Sequence, residues 1–262
     1  KKTANPWLRP LLSIDVAKIK YWETYYWRQA SQVVAVSQAD REEMQRLAPG
    51  LDVKIVPNGV NLDLFKKKTS WRSTTPTILF LGNFTWMQNT EAALVLINQI
   101  FPLVKKEVPK ARLHIVGQHQ PQSLIEKQQK DIIISKLAED DIDSVIKANY
   151  DASVSANPLW GPGGTRLKIL AAMACKLPIV STEVGVRGLG VVDNRHVLIR
   201  NTPESIAEAI IKVIKGEKKA MELAENAYAF VKETYDYEKI AEKLSQIYLS
   251  LSKKPVVSHV EP

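Results

Sequence analysis

The chain has 262 residues, 45% of them hydrophobic, and a formal charge of +8 at neutral pH, enough for one large or two modest domains with proper cores. No apolar run reaches the roughly 20 residues of a membrane-spanning helix, the opening Lys1-Lys2-Thr3-Ala4-Asn5-Pro6 lacks the apolar centre of a signal peptide, and Cys175, the single cysteine, excludes an intrachain disulfide and a cysteine-based zinc site and fits a reducing cytoplasm. The positive balance asks for an anionic partner, but its Lys and Arg are interleaved with Glu and Asp and no recognition-module signature is present, so no nucleic acid is expected.

In chain order, residues 12–30 read as a helix capped at Ser13 or Asp15 and crowded with Tyr21, Trp22, Tyr25, Tyr26 and Trp27. With Lys18, Lys20 and Arg28 alongside, it suits a membrane-surface helix, peripheral on the inner face. The other reading, preferred of the two, is that the aromatics pack the core of a neighbouring domain. Residues 33–37 (VVAVS) predict a short strand buried on both faces of a parallel sheet. A helix over 38–47 and a strand over 53–56 follow, stopped by Pro57-Asn58-Gly59. Strand, helix, strand is the grammar of a doubly wound sheet, here without its opening strands. Residues 66–76 are polar and aperiodic and read as a linker.

A fresh α/β unit starts with the strand 77–81, which ends in Gly82-Asn83. One helix over 90–104 turns Ala93, Leu94, Ile97 and Ile100 to the sheet, and a strand over 111–116 is closed by Gly117. A strand that ends in Gly lets the following loop bring backbone up to a ligand at the carboxyl edge of the sheet. Further strands are expected at 131–135, 152–156, 179–181 and 197–199, and helices at 142–149 and, capped by Thr202-Pro203-Glu204-Ser205, at 206–214. Two more helices over 221–251 break near Tyr235-Asp236, and residues 253–262 form a polar, flexible tail.

The stretch Gly161-Pro162-Gly163-Gly164-Thr165-Arg166-Leu167-Lys168 precedes a helix with apolar residues at 167, 170, 171 and 174. A Gly-rich loop exposes backbone N–H groups, the helix start adds orphan donors and the positive dipole end, and Arg166 and Lys168 fall in its first turn. Together they suit a diphosphate. Locally the stretch could equally be a turn with solvated charges, and it matches neither of the usual phosphate-loop spacings. Its convergence with Gly82 and Gly117 on one sheet edge favours a site. Asp141-Ile142-Asp143 imitates a metal-binding D-x-D pair, but its place at a helix start among Glu139 and Asp140 assigns it to capping. His114, inside an apolar strand, reads as packing, and His119, in the loop beyond Gly117, as a candidate for substrate contact.

Taken in order, residues 33–37 with Asp40, Pro57-Asn58-Gly59-Val60 with Phe65, Phe80-Leu81-Gly82-Asn83 and Ile115-Val116-Gly117 form the first part of a pattern. Gly163 to Leu170, Ala172-Met173-Ala174, residues 178–182 and Ile247-Tyr248 complete it. The pattern resembles the group 1, or family four, retaining GT-B glycosyltransferases over nearly the whole chain. The resemblance implies an α/β fold of GT-B type: a remnant of an acceptor Rossmann-like domain (1–65), a linker (66–76), and a Rossmann-like parallel-sheet donor-binding domain (77–235). A helix (236–252) would cross back to the first domain, ahead of the tail (253–262).

By the same resemblance the chain is the C-terminal donor-binding portion, most of the acceptor domain with its important His is absent, and the chain alone lacks the complete active site, its catalytic residues being unknown. The donor would be a nucleotide-diphosphate sugar and the acceptor a glycan or lipid-linked glycan. The amides of Gly163 and Gly164, with Thr165 and Arg166, would face the diphosphate, Lys168 would support that charge, and Gly82, Asn83 and Gly117 would line the pocket. No cofactor and no metal is expected, because helix dipole and basic side chains do the neutralising. Three departures stand out: Ala171 replaces a Glu that holds the ribose in relatives, Asn83 and Asn89 replace an Arg and a Lys, and most of the acceptor domain is absent. They open a second reading, a non-catalytic nucleotide-sugar-binding or scaffolding protein of the same fold. A sugar-nucleotide epimerase ranks lower on motif order.

Overall fold

The computed structural model describes residues 9–161 and 167–252; the tail 253–262 lies outside them. The chain forms two compact units, one of residues up to Pro57 together with those from Lys239 onward, the other Asn58–Glu238.

In the first unit, α1 (Arg9–Gln29), β1 (Val33–Ala35), α2 (Gln38–Leu47) and β2 (Val53–Ile55) follow in order, and β1 pairs with β2 in parallel. Ser37 caps α2, its hydroxyl accepting from the Asp40 N–H at 3.1 Å. The small core joins Val33, Ala35 and Val53 to Trp27, Met44 and Leu51. The expectation that β1 is buried on both faces fails: Val34 is 44% exposed, because in this two-stranded sheet burial alternates along the strand. On α1, Tyr21, Trp22, Tyr25 and Tyr26 are exposed and touch one another ring to ring. Of the aromatic set, Trp27 enters this unit's core.

The second unit runs β3 (Thr77–Asn83), α3 (Met87–Val95), α4 (Phe101–Glu107), β4 (Arg112–Gln118), α5 (Gln122–Ile125), β5 (Ile132–Lys136), α6 (Ile142–Asp151) and β6 (Val154–Asn157). It continues through α7 (Leu167–Ala174), β7 (Ile179–Ser181), α8 (Glu183–Val186), β8 (Leu198–Ile199), α9 (Pro203–Lys215) and α10 (Glu217–Thr234), and α11 (Tyr237–Ser252) begins at its end. Six parallel strands lie in the order β5-β4-β3-β6-β7-β8. The chain winds outward from β3 to β5 and then outward on the other side from β6 to β8. Its direction of winding therefore reverses between β3 and β6. Successive residues of β3 alternate between two cores: Ile78 and Phe80 belong to one, Leu79 and Leu81 to the other. That is the burial expected of a parallel sheet covered on both faces.

Three sequence expectations need correction here. The single helix over 90–104 is instead α3 and α4 joined by a π turn, Leu96–Ile100. Pro102, at the start of α4, has no N–H to give and its ring crowds the carbonyl four residues back, so the ladder widens locally. The boundary expected after residue 65 lies at Asn58. Val60 bridges to Asp236, donating to the Tyr235 carbonyl at 2.9 Å and accepting from the Tyr237 N–H at 3.1 Å. Val60, Leu62 and Phe65 are buried in the second unit's core. The expected linker is likewise laid down on this unit. The Lys68 N–H donates to the Cys175 carbonyl at 2.9 Å, its ammonium to the Tyr150 carbonyl at 2.7 Å, and the Trp71 indole to the Lys176 carbonyl at 3.1 Å.

The register of β3 on β4 sets Gly82 opposite Gly117, and a Cβ on Gly117 would stand 1.7 Å from the Gly82 carbonyl oxygen. Gly117→Ala must therefore push the two strands apart at their carboxyl ends. It should destabilise the chain by about 1–3 kcal/mol, the usual cost of overpacking, read as a lowered midpoint in urea unfolding; an unchanged midpoint would show that β4 shifts freely.

Candidate functional site

A cleft of about 750 Å³ opens in the second unit, at the carboxyl edge of the sheet. Its lining includes Gly82 and Asn83 at the end of β3, Trp86, Gln88 and Asn89 at the start of α3, and Gln118 at the end of β4. Ile142 and Val145 of α6, Lys168 and Ala171 of α7, and Asn61 and Leu64 are also among the wall residues. The reversal of winding between β3 and β6 produces this crevice, since the loops leaving the two strands turn to opposite sides.

The α7 sequence, Leu-Lys-Ile-Leu-Ala-Ala-Met-Ala, consists mainly of strong helix formers, and its residues from Ile169 to Ala174 are buried. It ends in a Schellman turn. Lys176 N–H donates to Met173 O at 3.0 Å and Leu177 N–H to Ala172 O at 2.9 Å, with Lys176 at φ 55° where glycine is usual. The chain leaving β6 is tied to β7 from the far side. Ser181 Oγ donates to the Asn157 carbonyl at 3.0 Å, and Thr182 Oγ1 donates to the Leu159 carbonyl while accepting from Gly185 N–H at 3.1 Å. The hydroxyl bonds fix the chain where it leaves β6, and the Schellman turn fixes the passage from α7 to β7.

Lys168 supplies the charge. Its Nζ donates to Asn89 Oδ1 at 2.9 Å and lies 4.4 Å from the centre of the Phe80 ring. Asn89 is itself buried and donates from Nδ2 to the Asn83 carbonyl at 2.7 Å. Among the described residues that line the cleft there is no Asp, Glu or His, so Lys168 is its one ionisable wall residue. Amide side chains make up most of the remaining polar wall: Asn61, Asn83, Gln88, Asn89 and Gln118.

The residues singled out from the sequence separate into four groups. Gly82, Asn83 and Lys168 line the cleft. Gly117 does not; it is buried below the edge, where its missing side chain admits the Gly82 backbone. Asn83 uses its carboxamide on its own turn, Oδ1 accepting from Thr85 N–H at 3.0 Å and Nδ2 donating to Gln118 Oε1 at 3.4 Å. Gly163, Gly164, Thr165 and Arg166 lie outside the described residues. Asp141 is the cap of α6: it accepts from Ser144 N–H at 3.0 Å, and that bond holds its carboxyl below the usual range. His114 Nε2 meets Ser135 Oγ at 2.9 Å between β4 and β5, and burial pushes its pKa below the ordinary histidine value. His119 takes a left-handed φ of 56° after β4 and is not in the cleft wall.

Asn61 and Leu64 were missed, because they sit in a segment that the sequence assigns to the other domain. Their place follows from the Val60 bridge to Asp236, a pairing with no local signal. Trp86, 57% exposed on the cleft wall, also carried no periodicity that would mark it. Among the described residues no group of three or more His, Cys, Asp or Glu is placed to hold a metal ion, and no helix is long and apolar enough to cross a membrane.

The profile of the family described as Glycosyl transferases group 1 matches residues 75–216. An uncharacterized 44.6 kDa protein in the cps region of Klebsiella pneumoniae is 31% identical over 169 residues, covering 62% of this chain and 43% of that protein. TuaC of Bacillus subtilis, a proposed teichuronic acid biosynthesis glycosyltransferase, is 25% identical over 87% of this chain and 58% of its own length. The chain thus spans about half the length of these two relatives. Among solved structures, sucrose-phosphate synthase of Thermosynechococcus elongatus superposes with a TM-score of 0.72 at 21% identity, over 89% of this chain and 61% of the synthase. TarM of S. aureus gives 0.71 at 17% identity, over 90% and 47%. The fold is the α/β parallel-sheet architecture of these GT-B structures.

Cys175, at the end of α7, is fully buried, and burial raises its thiol pKa to about 12. At pH 8 about one thiol in ten thousand would then be ionised, and the thiolate is the reactive form. The folded chain should not react with a disulfide reagent such as dithionitrobenzoate, and the unfolded chain should release one equivalent of thionitrobenzoate. Rapid labelling before unfolding would show that α7 opens at its C-terminal end.

Proposed function

Because this chain belongs to the glycosyl transferases group 1 family, we propose that its second unit binds a nucleotide-diphosphate sugar and serves transfer of the sugar, with retention, to a glycan or lipid-linked glycan acceptor. The observation that carries the proposal is the cleft at the β3–β6 reversal, whose one ionisable wall residue among those described is the cation Lys168. Anionic phosphates belong at such a place: helix α7 begins there and its dipole adds to the ammonium. Thr165, Arg166 and the amides of Gly163 and Gly164 stand next to Lys168 in sequence and join it on the diphosphate in this reading. As the bond from sugar to phosphate breaks, negative charge grows on the departing nucleoside diphosphate, and fixed donors in a partly dry cleft stabilise it without a metal. Structures of two similar folds support the donor class: HepE of Anabaena in complex with UDP-glucose, and the pneumococcal transferase GtfA in complex with UDP and GlcNAc. A cytoplasmic place of action, peripheral at most on a membrane, goes with the free buried thiol of Cys175.

A second reading is favoured by Ala171. It lines the cleft where the resemblance expects a Glu, and no other carboxylate among the described wall residues takes its place. A nucleotide held here is then gripped chiefly by its phosphates, which is enough for binding without transfer.

Two calorimetric measurements test these readings. Lys168→Met should weaken UDP binding by about 1.5–3 kcal/mol, the worth of a charge-assisted hydrogen bond; equal affinity would move the phosphate site elsewhere. Ala171→Glu should raise the preference for UDP over its deoxyribose analogue by about 1–3 kcal/mol, since a carboxylate accepts from both ribose hydroxyls. A strong ribose preference already present in the unmodified chain would remove the ground for the binding-only reading.

A further inference from the structure

We propose that Asn89 is a positioning residue, which holds the Lys168 ammonium at the cleft without neutralising it. The inference rests on the reading of Lys168 as the cation that meets the diphosphate. Three observations lead to it.

The first is burial. Asn89 is only 8% exposed, and a carboxamide taken from water must satisfy both of its ends. Both are satisfied, Nδ2 on the Asn83 carbonyl at 2.7 Å and Oδ1 on Lys168 Nζ at 2.9 Å.

The second is chemical direction. A backbone carbonyl can only accept and an ammonium can only donate. The two partners therefore fix which end of the amide is oxygen and which is nitrogen. Turned over, the group would set donor against donor on the Lys168 side and acceptor against acceptor on the β3 side. The end of strand β3 thus orients Asn89, and Asn89 orients Lys168 on α7. Gly82 makes room for this: a Cβ there would come within 3.2 Å of Asn89 Cβ.

The third is the character of the holders. Lys168 is gripped by a neutral amide oxygen on one side and faces the Phe80 ring at 4.4 Å. Neither is an anion, and the cleft wall adds none among the described residues. A carboxylate at position 89 would grip the ammonium as firmly but would cancel the charge an incoming phosphate needs. An asparagine keeps the place and adds no negative charge of its own.

The experiment compares Asn89→Leu and Asn89→Asp, each alone and on the Lys168→Met background. UDP affinity is read by calorimetry and the Lys168 side chain by NMR of lysine-labelled protein, with thermal melts to confirm folding. Asn89→Leu should weaken UDP binding about tenfold when Lys168 is present and less than about twofold on the Lys168→Met background, because coupled residues are non-additive. Asn89→Asp should shift the pH titration of the Lys168 signal upward, which a purely structural role would not do. Equal losses from Asn89→Leu on both backgrounds, or an unmoved Lys168 titration in Asn89→Asp, would overturn the proposal. If instead Lys168→Met alone leaves UDP binding intact, the phosphate reading fails, while the titration still reports whether Asn89 holds Lys168.

Discussion

Two neighbouring parallel strands whose connections run to opposite sides cannot close the space above their carboxyl ends, and here those strands are β3 and β6. Everything chemical in the second unit is placed by that gap. The end of β3 brings Asn83 to it and the start of α3 brings Asn89, the segment after β6 leads to Lys168, and α6 closes the side with Ile142 and Val145. The gap is held open at defined width by small-residue contacts beneath it. Gly117 lets β4 carry its end against the Gly82 backbone, and Gly185 would set a side-chain carbon 2.2 Å from Ser181 Oγ. Side chains at these positions would have to displace backbone or buried hydroxyls, so the glycines serve the shape of the cleft more than its chemistry.

Within that shape the polar groups form a chain of obligations. A buried carboxamide needs partners, a lysine at the edge of a core needs an acceptor, and each settles the other. Two hydroxyls at and just after the end of β7 do similar work: Ser181 and Thr182 donate to the carbonyls of Asn157 and Leu159 and so pin the entrance to the loop before α7. The result is a site with one cation among its described wall residues and neutral amides around it. That combination receives an anion well. With alanine at position 171, the described wall holds no carboxylate.

The first unit is a smaller system with its own core of Val33, Ala35 and Val53. The aromatic residues of α1 pack ring against ring on its surface, stacked or edge-on, within 5.3–6.4 Å. Such contacts gain part of what burial would give while leaving large apolar faces in water.

By itself the sequence determined the class of fold and most of its elements, because hydrophobic period, caps and glycine stops are local signals. The β-branched strands, the Thr202 cap of α9, the Asp141 cap of α6 and the break near Tyr235 could all be read from a few neighbouring residues. So could the place of Lys168 in the first turn of α7, and the assignment of the Asp141-Asp143 pair to capping. What only the tertiary structure decided rests on contacts between residues far apart in the chain. Residues 58–76 read as domain end and linker from their polar composition, yet backbone pairing with Tyr235 and Tyr237 and the hydrogen bonds of Lys68 and Trp71 make them part of the second unit. Gly117 looked like a pocket residue because it ends a strand, and became a spacer once β3 was laid beside β4. Asn89 looked like the loss of a cation, and became the holder of another when α7 brought Lys168 within 2.9 Å. Composition and period report what a residue prefers nearby; which atom it meets across 79 positions of chain is set only when the sheet order is closed.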